Sequence, residues 1–224
     1  LSYMNNFTRR TMPHILGAGL LLQACSVSVP TDKQADNVVV ADLPQVVLDT
    51  SAGEIVLEVD SKRAPVTAAN FLGHVELGAY DGGKFYRAVR LDTDRGTPPI
   101  EVIQGGRGLE FEDDIPGIAH EPTSSTGLRH LDGTISMSRS EPGSATTEFF
   151  ITIGDQPALD AGGTRAADGL GFAAFGRVIL GMDVVRAIQA MPANGAAPDP
   201  YVEGQMLDPV VTITTASRRK GAAK

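Results

Sequence analysis

Residues Gly133 to Gly154 constrain this chain more than any other stretch. They read as two strands joined by a Pro/Gly/Ser loop at Ser140–Ser144. In the first strand Ile135 and Met137 alternate with Ser136 and Ser138. In the second, Phe149, Ile151 and Ile153 fall on one face, and Glu148, Phe150 and Thr152 on the other. Period-two alternation is the mark of a half-buried strand, because successive side chains point to opposite faces of a sheet. Phe150 breaks the pattern, a large aromatic on the otherwise polar face. Either a second layer covers that face or Phe150 lines a site.

More strands flank this pair. Val46–Asp49 and Glu54–Val59 enclose Thr50-Ser-Ala-Gly53 as a hairpin. Phe85, Arg87 and Val89 share a face by alternation, which sets an arginine among apolar neighbours. Ile100, Val102 and Gln104 share a face in the next strand, and Glu101 and Ile103 the other. Gly171–Val178 and Asp208–Thr215 supply late strands. Two helices interrupt the series. Pro65 suits a first helical position, where its missing N–H costs nothing. Ala68, Phe71, Leu72 and Val75 then recur at helical spacing, and Gly78 ends the segment. The second helix spans Gly181–Met191 with a stripe of Val184, Ile188 and Met191, stopped by Pro192.

Together these motifs resemble the cyclophilins, the β-barrel peptidyl-prolyl cis/trans isomerases. The resemblance rests on Gly133-Thr-Ile-Ser-Met, on Ser144-Ala-Thr-Thr-Glu-Phe-Phe-Ile, and on Ala64–Phe71. Phe85-Tyr-Arg-Ala-Val89, Val102-Ile-Gln-Gly-Gly106 and Gly171–Val178 extend it to about residues 44–216, with the motifs in order. It implies a mainly β fold, a closed antiparallel eight-stranded barrel capped by two α-helices. It also implies the site. Arg87 and Gln104 occupy the catalytic positions. Phe150, Val102, Ile100, Leu159 and Phe172 would surround a proline ring, and Ser138, Arg139 and Glu148 would line the peptide groove. Four substitutions and two insertions depart from the family pattern. Glu101 and Val102 replace a Phe and a Met, and Glu148 replaces a Gln, where a carboxylate would either pair with Arg87 or compete with the substrate for it. Ala158 replaces a bulky aromatic, and Arg90–Pro99 and Ala161–Leu170 are inserted.

Composition bounds the partners. The net charge of −8 argues against nucleic acid, whose phosphates need a basic surface. Histidines 14, 74, 120 and 130 have no metal-ligand spacing, and His120 and His130 read as structural or exposed. No cofactor or metal is implied. Gly106-Arg-Gly108 is too short for a phosphate loop.

The N-terminal part reads as an address. Arg9 and Arg10 precede the apolar run Ile15–Leu22, far short of the ~20 residues of a spanning helix but suited to a secretory signal. The run ends at Leu22-Gln-Ala-Cys25, which resembles a bacterial lipobox, and Cys25 is the single cysteine. The expected organisation is a lipoprotein-type signal over 1–24, lipidated Cys25 with a flexible tether over 25–43, the isomerase domain over 44–216, and a basic tail over 217–224. This places a monomer on the bacterial envelope, facing the periplasm, with Ser26 favouring the outer membrane. A soluble periplasmic protein is the alternative.

The expected function is acceleration of rotation about X–Pro bonds in proline-containing peptides and unfolded envelope proteins. Arg87 would donate to the proline nitrogen of a twisted amide, without covalent chemistry. The alternative is a proline-peptide-binding or chaperone module with weak or no turnover, which the changes at Glu101, Val102 and Ala158 favour.

Overall fold

The computed structural model describes residues 43–108 and 115–219. The expected signal, Cys25, all but the last residue of the tether, Phe111–Asp114 and the last five residues lie outside the described residues.

Eight antiparallel strands close into a barrel in the order β1-β2-β7-β5-β6-β4-β3-β8. They are β1 (Gln45–Thr50), β2 (Gly53–Val59), β3 (Lys84–Val89), β4 (Val102–Gly106), β5 (Thr134–Met137), β6 (Phe149–Thr152), β7 (Ala173–Leu180) and β8 (Met206–Arg218). Two helices pack against the strands, α1 (Pro65–Glu76) and α3 (Met182–Gln189), as expected. A third, the single turn α2 (Thr123–Thr126), has no periodic signal in the sequence.

The interior follows the alternation. Ile135, Met137, Phe149 and Ile151 join one core with Leu48, Ile55, Leu57, Ile103 and Phe175. Helix α1 adds its stripe of Ala68, Phe71, Leu72 and Val75 to that core. Phe71 lies 5.2 Å from Tyr80, 5.6 Å from Phe149 and 5.1 Å from Phe175, ring centre to ring centre. Such tilted and edge-on pairs add roughly 0.5–1.5 kcal/mol each beyond the area they bury. The N-terminus of α1 is capped from a distance. Glu121 accepts from the backbone N–H of Val66 and Thr67 and from the Thr67 hydroxyl. A carboxylate there satisfies otherwise unpaired helix donors and complements the helix dipole.

Three expectations are corrected. Phe85 does not share a face with Arg87 and Val89, because a bulge between Phe85 and Arg87 shifts the β3 register. Phe85 and Ala88 therefore enter the core, while Arg87 and Val89 face outward into a second cluster or cavity. In α3 the fully buried residues are Val185 and Ile188, with Val184 and Met191 flanking them partly buried. Finally, β8 runs to Arg218, which pairs with Val46, so the strand occupies the start of the expected tail.

Candidate active site

The bulge in β3 and the barrel register bring the site together. Arg87 pairs with Gln104 across β3 and β4, and Gln104 with Phe150 across β4 and β6. Phe150 in turn pairs with Ser136 on β5. Arg87, Gln104 and Phe150 are thus neighbours in one row on the outer face of the barrel. Around Phe150 a small apolar cluster forms from Val89, Ile100, Val102 and Leu159, with Phe172 against it. The rings of Phe150 and Phe172 meet edge to face at 5.5 Å.

The result is a cavity of about 230 Å³. Of the residues expected at the site, Arg87, Gln104, Phe150, Val102, Ile100, Ser138, Arg139, Leu159 and Phe172 line it. Glu148 does not. It is buried, and its Oε1 accepts the Gly108 N–H at 2.9 Å. A Cβ on Gly106 would collide with the Glu148 carboxyl, so the glycine makes room for this placement. The expected pair between Glu148 and Arg87 is therefore not formed, because the backbone turn after β4 takes up the carboxylate.

Arg87 is held by amides instead. Its Nη1–H donates to Gln104 Oε1 at 3.0 Å. Its Nε–H and Nη2–H both donate to Gln205 Oε1, at 2.8 and 2.6 Å. Gln104 passes the chain on, its Nε2–H donating to Ser138 Oγ at 3.1 Å. Burial pulls the Arg87 pKa below the ordinary arginine value, with Tyr86, Tyr201 and Asp94 opposing that shift and Arg165 reinforcing it. Arginine starts so high that the group stays a cation at neutral pH. Arg139 is a second fixed guanidinium of the expected site. It pairs with Asp168 at 2.8 Å, donates to the Gly171 carbonyl, and lies 5.2 Å over the Phe172 ring.

Behind Phe150 lies a buried polar prop. The His130 ring stacks on Phe150 at 6.0 Å and 16°. His130 Nδ1 meets Asp160 Oδ1 at 2.7 Å, and Nε2 meets Ser136 Oγ at 3.0 Å. The distances are those of a Ser-His-Asp relay, but His130 and Ser136 are both fully enclosed, so no acyl donor reaches the hydroxyl. The His130 ring backs Phe150, and the enclosed Ser136 hydroxyl is out of reach of a substrate. His130 is thus structural. Among the described residues no group of three or more His, Cys, Asp or Glu is arranged to hold a metal ion.

Comparison with known proteins decides the family. The model of the cyclophilin type peptidyl-prolyl cis-trans isomerases matches residues 45–216. The chain belongs to that family. Peptidyl-prolyl cis-trans isomerase A of Dickeya dadantii is 38% identical over 158 residues, covering 68% of this chain and 75% of that protein. The isomerase cyp18 of Streptomyces antibioticus is 39% identical over 153 residues, 66% of this chain and 85% of its own. A solved cyclophilin type isomerase of Cryptosporidium parvum, crystallised in the presence of the dipeptide Ala-Pro, superposes with a TM-score of 0.59. It is 19% identical, over 79% of this chain and 99% of that one, and so speaks for the fold.

The two loops expected as insertions also reach the site. Arg165, from the loop Ala161–Leu170, and Tyr201 also line the cavity. Arg165 Nη2 pairs with Asp94 of the loop Arg90–Pro99 at 2.8 Å, with both side chains largely buried. The residues missed from the sequence are Val89, Arg165, Tyr201 and Gln205. Val89 was legible from its alternation with Arg87. The other three come from loops with no periodicity to read.

Proposed function

We propose that this cyclophilin accelerates cis/trans rotation about X–Pro bonds of proteins folding in the bacterial envelope, with Arg87 as the group that favours the twisted amide. The observation that carries the reading is Arg87 beside the apolar cavity around Phe150. Rotation about a peptide bond has a barrier of ~18–20 kcal/mol because resonance gives C–N double-bond character. At X–Pro the cis form is low in energy, yet uncatalysed exchange takes tens to hundreds of seconds. In the twisted state the proline nitrogen regains its lone pair and becomes an acceptor. A donor aimed at that nitrogen stabilises the transition state more than either ground state, which is what raises a rate.

Three of the five N–H groups of Arg87 go to Gln104 and Gln205. The reading assigns the proline nitrogen to the remaining two. The proline ring rests on Phe150, walled by Val102, Ile100, Leu159 and Phe172. Gln104 gives one N–H to Ser138 and has a second for a substrate carbonyl. An acceleration of 10⁵ requires ~7 kcal/mol of differential stabilisation. A charged hydrogen bond in a largely buried cavity, with the proline held in place, is of that order.

Peptides containing proline are the substrate class, with Ser138 and Arg139 along the groove. The envelope location rests on the sequence before the barrel, where Cys25 stands as the acceptor of lipid and the following residues act as tether. A monomer suffices, since this one chain supplies every residue named.

Two experiments test the reading. Exchange of the proline signals of a short Ala-Pro peptide, followed by NMR with catalytic amounts of the full chain, is expected to be far faster than without it. Unchanged exchange with folded protein would sink the activity. Labelled palmitate is expected on the wild-type chain in a Gram-negative host and to be absent from Cys25→Ser. Equal labelling of both would overturn the anchor.

A further inference from the structure

We infer that Gln205 is the positioning residue of Arg87, and that the inserted loop Arg90–Pro99 sets its orientation. This rests on the reading of Arg87 as the donor to the proline nitrogen.

Gln205 is fully buried just before β8 and is held to β3 by its carbonyl, which accepts the Ala88 N–H at 2.8 Å. Its side-chain amide is saturated in one sense only. Oε1 takes two N–H groups of Arg87, and Nε2 donates to the Thr93 carbonyl at 2.7 Å and to the Tyr201 carbonyl at 3.4 Å. Flipping the amide would turn its NH₂ toward the guanidinium and its oxygen toward two carbonyls. A buried amide has no water to repair such a mismatch, so one orientation wins.

Without Gln205, Arg87 keeps a single hydrogen bond, to Gln104, and the planar group is free to swing about it. With Gln205 the fork is fixed from two sides. The acceptor is neutral, so it fixes the guanidinium without neutralising it, unlike a carboxylate. Thr93 is itself held, because the loop turns on bonds from the N–H of Thr93 and Asp94 to the Arg90 carbonyl. Asp94 also accepts from Ile100 N–H and from Arg165. The insertion thereby reaches the reacting centre through one side chain.

The test compares full-length wild type with Gln205→Met, Gln205→Glu and Arg87→Ala. Steady-state isomerisation of the Ala-Pro peptide is read alongside solvent exchange of the Arg87 Nε–H by NMR. Gln205→Met is expected to lower kcat ~10- to 100-fold with KM unchanged, as misplacing a catalytic group does. Its Arg87 Nε–H is expected to lose the protection seen in wild type. Gln205→Glu keeps an acceptor of the same reach for Arg87 and is expected to retain that protection, while its second oxygen, set against the Thr93 and Tyr201 carbonyls, lowers stability. A folded Gln205→Met with wild-type kcat overturns the inference. If the apolar variant does not fold, loss of protection in Gln205→Glu overturns it instead. Turnover surviving in Arg87→Ala would remove the underlying reading. Turnover lost in Arg87→Ala but intact in Gln205→Met would remove only the role of Gln205.

Discussion

Asp94 and Arg165 form a 2.8 Å ion pair that joins the loops Arg90–Pro99 and Ala161–Leu170 beside the candidate active site. The Asp94 side chain is fully enclosed and that of Arg165 nearly so. Gly96 lies so close to the Arg165 guanidinium that any side chain there would displace it. The two loops are therefore one structure, built on a buried charge pair.

The pair is asymmetric, and that predicts unequal costs. Without Arg165, the Asp94 carboxylate keeps the N–H groups of Gly96 and Ile100. Without Asp94, Arg165 keeps only the Pro98 carbonyl, at 3.3 Å, and two loop amides lose their acceptor as well. Leaving a buried charge without its partner costs ~3–5 kcal/mol. Asp94→Ala is expected near that figure and Arg165→Ala clearly below it, measured by urea unfolding. The reverse order would contradict this account of the loops.

Acid should expose the same chemistry. Burial acts to raise the pKa of Asp94, but bonds from Arg165, Ile100 and Gly96 outweigh it and hold the group below the ordinary carboxylate value. Burial is likewise outweighed at Asp160, by the side-chain and backbone bonds of His130. A folded pKa below the unfolded one means that the stabilisation is complete above the unfolded value of ~3.9. It is lost as pH falls through the lower, folded value. Wild-type stability is expected to drop below about pH 4. Asp160→Asn should start less stable and fall less steeply over that window, in urea titrations at stepped pH.

Phe172 should act on binding more than on folding. It is only partly buried, yet it touches the Phe150 ring and lies under the Arg139 guanidinium. An aromatic contact of this type is worth ~1 kcal/mol. Phe172→Ala is expected to weaken peptide binding about fivefold by calorimetry, since 1.4 kcal/mol is tenfold, with a small loss of stability. Unchanged affinity would place the proline elsewhere.

Much of this was legible in the residues. The alternation over Gly133–Gly154 separates Phe149 and Ile151, which enter the core, from Phe150, which faces out into the cavity. The helical stripe of α1 emerges buried as read. Alternation misled at Phe85 because it presumes an unbroken strand, and the β3 bulge reverses the phase. Glu148 misled because its environment comes from the Gly106–Gly108 turn, not from its neighbours on β6. Gln205 was invisible for another reason. Its partner Arg87 is 118 residues away, and no local pattern encodes a contact between a strand and a distant loop. Arg165 and Asp94, 71 residues apart, share that difficulty, although the insertions carrying them stood out as departures.

The most direct measurement pairs turnover with affinity in the full-length chain, wild type against Arg87→Ala. Proline exchange in the Ala-Pro peptide gives the first, and titration of the same peptide the second. Removing a donor used mainly in the transition state is expected to cut turnover by roughly 100-fold or more while affinity changes little. Turnover that survives the substitution, or falls only as far as binding does, would contradict the role of Arg87.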